Sequence, residues 1–72
     1  MPHIAVKLWP GRSEEEKRAF ARAVADDAAR YLHADKAWGS VSIEEIEPEA
    51  WDETVVRPEI LEKPDIQYVR SE

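Results

Sequence analysis

Pro2-His3-Ile4-Ala5-Val6-Lys7-Leu8-Trp9-Pro10-Gly11-Arg12-Ser13-Glu14-Glu15-Glu16 holds a strand, its end and a helix start in one short stretch. Ile4, Val6 and Leu8 alternate with His3, Ala5 and Lys7, the period-2 pattern of a strand with unlike faces. Pro10-Gly11 breaks that pattern. Ser13 can then cap the amide of Glu16 while the Glu16 side chain reaches back to Ser13, and three consecutive acids suit the positive end of a helix dipole. Downstream, Phe20, Val24, Ala28 and Leu32 recur every four residues with Tyr31 beside them, which predicts an apolar stripe. Glu14, Arg18, Arg22, Asp26 and Arg30 form the opposite, mixed-sign and solvated stripe. The alanines between add helix propensity. A strand over 2–9 and a helix over 14–33 follow.

His33 to Gly39 reads as a loop, punctuated by Asp35 and Gly39. Val41-Ser42-Ile43 begins a second strand that Glu44, Glu45 and Ile46 carry on. The alternation slips between Ile43 and Ile46, which predicts a bulge or a strand end. Pro48 closes it. The tail carries Trp51, Val55-Val56, Ile60-Leu61, Ile66 and Tyr68 between Pro58 and Pro64, and predicts one or two short helical turns and a short terminal strand. The whole, residues 1–72, is expected to be one α+β domain built on a single βαβ unit. The crossover through a helix makes its two strands parallel. One helix covers one face of two strands and leaves both edges open, so completion by dimerisation is expected, with a higher oligomer as the alternative.

Composition agrees with this. Sixteen acids against ten Lys and Arg give a formal charge of −6 over 72 residues, which argues against a nucleic-acid partner or an anionic membrane surface. Apolar runs such as Ile4-Ala5-Val6 and Ala23-Val24-Ala25 reach only three residues. A membrane span needs roughly 20 and a signal peptide about 7–15, so a soluble, cytoplasmic chain is expected. Cysteine is absent, so disulfides and thiol chemistry are too. A domain of about 60 residues buries only ~60% of its unfolded surface, and burial against a second copy is the obvious remaining source of stability.

Gly11 and Gly39 are the only glycines, too few for a phosphate-binding loop. His3 and His33 are too few and too distant for a metal site and read as surface histidines, so neither metal nor cofactor is expected. Ser13 is better explained as a cap than as a nucleophile. Pro2 is unusual. Methionine before proline is normally trimmed, and removal of Met1 leaves a secondary amine at the chain start. An α-amino group has a pKa of about 7.7–8.0, and an apolar pocket lowers it by disfavouring the charged form. A base poised near neutrality is thereby available without histidine. The plain alternative is a proline that merely opens a strand.

Pro2-His3-Ile4-x-Val6, followed by Gly11-Arg12-Ser13 and Lys17, resembles the 4-oxalocrotonate tautomerase family of the tautomerase superfamily. Glu44 through Trp51 is similar to that family's passage into its active-site aromatic. The tail, Trp51 to Val56, Pro58-Glu59-Ile60 and Lys63-Pro64, resembles its longer-chain dimeric bacterial branch. The resemblance covers nearly the whole chain. It implies half of a β-α-β-β-α-β arrangement and a cofactor-independent isomerase that interconverts enol and keto forms of a small 2-oxo acid. Pro2 would be the general base and, once protonated, the acid. Arg12 would hold a substrate carboxylate with its guanidinium fork, in part across a subunit boundary. Trp51 would dry the pocket and depress the Pro2 pKa, and Trp9 would be an apolar pocket residue.

Plainer roles exist beside these: Arg12 paired with Glu14, Glu15 or Glu16, and Trp51 as core or interface. Trp38 receives no role. The resemblance is broken at one point, because the hexameric enzymes carry a second arginine on strand two. Both candidate positions here, Ser40 and Ser42, are serines, and Arg57 is a remote stand-in. The loss favours a mono-acid, such as an aryl enolpyruvate, and a dimer. Two other readings compete. One is a dehalogenase or decarboxylase that uses the same proline with Glu44, Glu45, Glu47 or Asp52. The other is a non-catalytic, acidic, dimeric interaction module.

Overall fold

A computed structural model of the chain describes residues 2–70, so the expected removal of Met1 lies outside the described residues. Strand β1 runs His3–Leu8, helix α1 Glu14–Leu32 and strand β2 Ser40–Glu45, with a 3₁₀ turn at Lys36–Trp38 between the last two. The strands pair in parallel, from His3 opposite Ser40 to Leu8 opposite Glu45. This is the expected α+β fold on one βαβ unit.

Local chemistry sets each boundary. Gly11 turns the chain at φ 129°, a backbone region that side chains with a Cβ rarely enter. The capping box is complete: Glu16 N–H donates to the Ser13 hydroxyl at 3.1 Å, and Ser13 N–H donates to the Glu16 carboxylate at 2.9 Å. His33 closes α1 in the left-handed conformation, its amide donating to the Ala29 carbonyl.

The face that α1 turns inward differs from the expected stripe. Lys17, Ala21, Val24, Ala25, Ala28 and Ala29 are the shielded residues, whereas Phe20 is 48% exposed, Leu32 61% and Tyr31 68%. At about 100° per residue, a strict four-residue repeat drifts roughly 40° at each step, so Phe20 falls with Tyr31 to one side of the sheet-facing line, while Leu32 points along that line but is the last residue of α1. That line alternates steps of three and four and consists largely of alanines.

No bulge interrupts β2. The ladder is regular to Glu45, and the Ile46 amide still donates to the Leu8 carbonyl at 2.8 Å. The slipped alternation marks the other expected outcome, a strand end: β2 stops at Glu45, and Ile46 just beyond it is buried. Ile46 and Val55 are the only apolar side chains classed as buried among the described residues. Beyond β2, helix α2 (Pro48–Trp51) passes directly into a wide π-helix, Asp52–Leu61, with Pro58 inside it. The one or two short helical turns expected are here one continuous helical path, followed by a 3₁₀ turn at Pro64–Ile66.

The described residues contain no terminal strand. The Gln67 side-chain amide donates to the carbonyls of Glu59 and Lys63, both at 2.9 Å, and folds the tail back onto the helix instead of along a sheet edge. The radius of gyration is 13.6 Å, against about 11 Å for a compact chain of this length.

Lys17 ties α1 to the end of β2, bonding Glu14 at 2.7 Å and Glu45 at 3.2 Å. Two of the three first-turn acids, Glu14 and Glu16, titrate low. Glu16 is held below its ordinary 4.5 by the Ser13 amide and hydroxyl, and Glu14 by its bond to Lys17. Their contribution to stability is present above pH 4.5 and is lost as pH falls through the lowered values. Ser13→Ala is expected to cost about 1 kcal/mol. Thermal melts at fixed protein concentration should show that deficit at pH 7 and a smaller one at pH 3.

Candidate functional site

Pro2 stands just before β1, and its carbonyl accepts the Ser40 amide at 3.1 Å. Its ring lies over Gly39, where a Cβ would sit 3.7 Å from the Pro2 Cγ and 3.6 Å from its carbonyl oxygen. Ile4, Ala25, Ala28 and Ala34 line the same recess, which leaves only about 10 Å³ of free space. That is room for about one water and not for a substrate. A ligand must therefore reach Pro2 from outside this packed side.

Neighbouring bonds fix this end of the sheet. His3 Nδ1 and the Ser40 hydroxyl are hydrogen-bonded at 2.7 Å. The Asp35 carboxylate accepts the Ala37 amide at 3.0 Å, and Lys36 bonds Asp26 on α1 at 2.8 Å. The indole of Trp38, on the same 3₁₀ turn, is 61% exposed.

The other end of β1 holds the remaining candidates. Lys7, Leu8, Trp9, Arg12 and Trp51 line one open cleft of about 350 Å³, within the usual range for small-molecule sites. Arg12 has no carboxylate within ion-pair distance among the described residues. Glu14 is taken by Lys17 and Glu16 by the cap, so the plainer role for Arg12, pairing at the helix start, is not realised. Its one bond is a long contact of 3.5 Å to the Trp9 carbonyl. Arg12 also borders an adjoining cleft with Leu8, Glu16, Lys17 and Phe20.

The chain thus brings Arg12, Trp9 and Trp51 together and holds Pro2 apart from them. An extended strand rises about 3.3 Å per residue, so the seven steps from Pro2 to Trp9 span about 23 Å. Arg57 stays with neither group: it is exposed and bonded to Asp52 at 3.2 Å. Ser40 is engaged by His3, and Ser42 is an exposed mid-strand residue opposite Ala5. Glu45 and Asp52, two of the acids available to the competing dehalogenase or decarboxylase reading, are committed to Lys17 and Arg57. None of the four acids considered lines the cleft.

Sequence reasoning passed over Lys7 and Glu59. Lys7 shares the cleft and pairs with Glu59 of the π-helix, across 52 positions of chain. Its signal was available, since Lys7 and Trp9 are two residues apart and share a face of the strand. Nothing local in the sequence marks Glu59. The His3–Ser40 bond was equally hidden, because only the strand register brings the two together.

The family model described as Tautomerase enzyme matches residues 2–62. Tautomerase PptA of Escherichia coli O127:H6 (strain E2348/69 / EPEC) is 36% identical over 52 residues, which is 71% of this chain and 69% of that protein. Tautomerase PptA of Escherichia coli (strain SMS-3-5 / SECEC) is 31% identical over 71 residues, 89% of this chain and 95% of that protein. Among solved structures, TomN, described as a 4-oxalocrotonate tautomerase homologue in the tomaymycin biosynthetic pathway, superposes with a TM-score of 0.67 at 36% identity. The match covers 69% of this chain and 77% of that one. DmpI from Helicobacter pylori gives a TM-score of 0.60 at 33% identity, over 64% and 78% of the two chains.

Proposed function

The chain belongs to the tautomerase enzyme family, and from that premise we propose that it interconverts enol and keto forms of a small 2-oxo acid with the Pro2 amine as proton carrier. The observation that carries the proposal is Arg12, a guanidinium with no acid partner that opens with two indoles onto one cleft. With Met1 removed, Pro2 takes the proton of the enol hydroxyl. The enolate is held through its carboxylate by the Arg12 fork, in two charge-assisted hydrogen bonds. The protonated amine then returns the proton to carbon, and base and enzyme are regenerated. Trp51 and Trp9 exclude water, which strengthens the Arg12 contact and keeps the amine neutral near pH 7.

Because β1 separates Pro2 from Arg12, the proposal requires a second copy. Pro2 of one chain meets Arg12, Trp9 and Trp51 of its partner, and a two-fold pair makes two such sites. The exposed Phe20, Tyr31, Leu32 and Trp38 supply apolar surface for that pairing.

The direct test is ketonisation of phenylenolpyruvate after mass spectrometry confirms loss of Met1. Pro2→Ala keeps an α-amine but loses the ring that places it, and should lower kcat/KM by about 10²-fold; acetylating the processed amino terminus removes the base and should lower it by at least as much. Full activity in the acetylated protein would reject the amine as carrier. Arg12→Gln should lower kcat/KM about ten- to hundredfold, since a charge-assisted contact contributes about 1.5–3 kcal/mol.

A further inference from the structure

We propose that the Lys7–Glu59 ion pair sets how many carboxylates the Arg12 cleft accepts. With Lys7 neutralised by Glu59 the cleft offers one unmatched cation and takes a monocarboxylate; with the pair broken, Lys7 becomes a second clamp and a dicarboxylate fits. The ligand class rests on the tautomerase reading, but the charge selection does not depend on proton transfer.

Two cations line the cleft, Lys7 and Arg12, on either side of Trp9 in the chain. They differ in one respect. Arg12 lacks an acid partner, whereas the Lys7 ammonium bonds the Glu59 carboxylate. Glu44 lies directly opposite Lys7 in the ladder and on the same face of the sheet, so it adds negative potential from a second side. Both acids raise the Lys7 pKa above its ordinary 10.5, the hydrogen bond that Lys7 donates to Glu59 most of all, so Lys7 stays charged at neutral pH.

Glu59 is held in place from behind. The Gln67 side-chain amide binds the Glu59 carbonyl and the Lys63 carbonyl together, which fixes this turn of the π-helix over the strand. Lys7 and Glu59 are nonetheless partly open to solvent, at 26% and 39%. Partly exposed pairs contribute little to stability, with a median of about 0–1 kcal/mol, so the pair can be altered without losing the fold. A second carboxylate entering the native cleft finds no free cation beside the indoles, and an unpaired charge in such a place carries a desolvation cost.

The test is calorimetric titration of the correctly processed protein with phenylacetate and with its 2-, 3- and 4-carboxy derivatives, which add a second carboxylate at three geometries. Wild type should bind phenylacetate at least about tenfold more tightly than each diacid, the effect of one desolvated charge. Glu59→Gln should tighten at least one diacid about tenfold and leave phenylacetate within about threefold. Glu44→Gln/Glu59→Gln should keep or extend the gain, and Lys7→Met added to Glu59→Gln should abolish it.

The proposal is overturned by an unchanged diacid-to-monoacid ratio in both glutamine variants, by a gain that survives Lys7→Met, or by no binding of any of the four acids. Lys7→Met in the wild-type background gives a further readout. Because it also frees the Glu59 carboxylate, it should weaken phenylacetate, and the charge-neutral Lys7→Met/Glu59→Gln should restore affinity to within about threefold of wild type; a tenfold loss in that double variant contradicts the neutralised state of Lys7. These are equilibrium readouts, so failure of Pro2 catalysis and failure of charge selection are separable.

Discussion

An extended backbone cannot fold back on itself within six residues, and β1 holds Pro2 and Trp9 about 23 Å apart. Pro2 sits at one end against Gly39 and the alanines of α1, in a recess too small for a ligand. Arg12, Trp9 and Trp51 sit at the other, around a cleft large enough for one. Pairing with Ser40–Glu45 along the whole length keeps the strand straight. On the proposed reading, chemistry that joins an amine at Pro2 to a guanidinium at Arg12 joins two chains.

The packing makes the same demand from a different direction. An inward face of alanines lets α1 lie close to the sheet but contributes little buried area, and Ile46 and Val55 alone are classed as buried among the described apolar residues. Phe20, Tyr31, Leu32 and Trp38 remain at the surface, and the chain is more extended than its length requires. A second copy would cover that surface and complete the site in one step, so assembly and catalysis would respond to the same substitutions.

The first two-thirds of the fold was legible in sequence because its signals are local. Alternation in Ile4-Ala5-Val6, the Ser13–Glu16 box and the Pro10-Gly11 break each act within a few residues, and each lies where it was read. The tail was less legible. Whether Ile66 and Tyr68 extend a sheet depends on an available edge, and Gln67 bonding to Glu59 and Lys63 decided otherwise. Of the expected stripe, Val24 and Ala28 do face inward, whereas Phe20 misled because a four-residue repeat drifts around a helix and Leu32 because it ends α1. Of the candidate site, Arg12, Trp9 and Trp51 do share a cleft, but the Lys7–Glu59 pair was invisible because its partners are 52 positions apart. The distance from Pro2 to Arg12 follows from strand length, and only the fold shows that no second path within the chain brings them together.

A mixing experiment tests most directly whether two chains share each site. Pro2→Ala and Arg12→Gln chains, each nearly inactive alone, are combined in equal amounts, unfolded and refolded together, and assayed for enol ketonisation. Random pairing makes half of the dimers mixed, and each mixed dimer has one site with both residues intact, so about a quarter of wild-type activity should return. No recovery, from chains shown by native mass spectrometry to have mixed, would mean that Pro2 and Arg12 act within one chain, and would contradict the account.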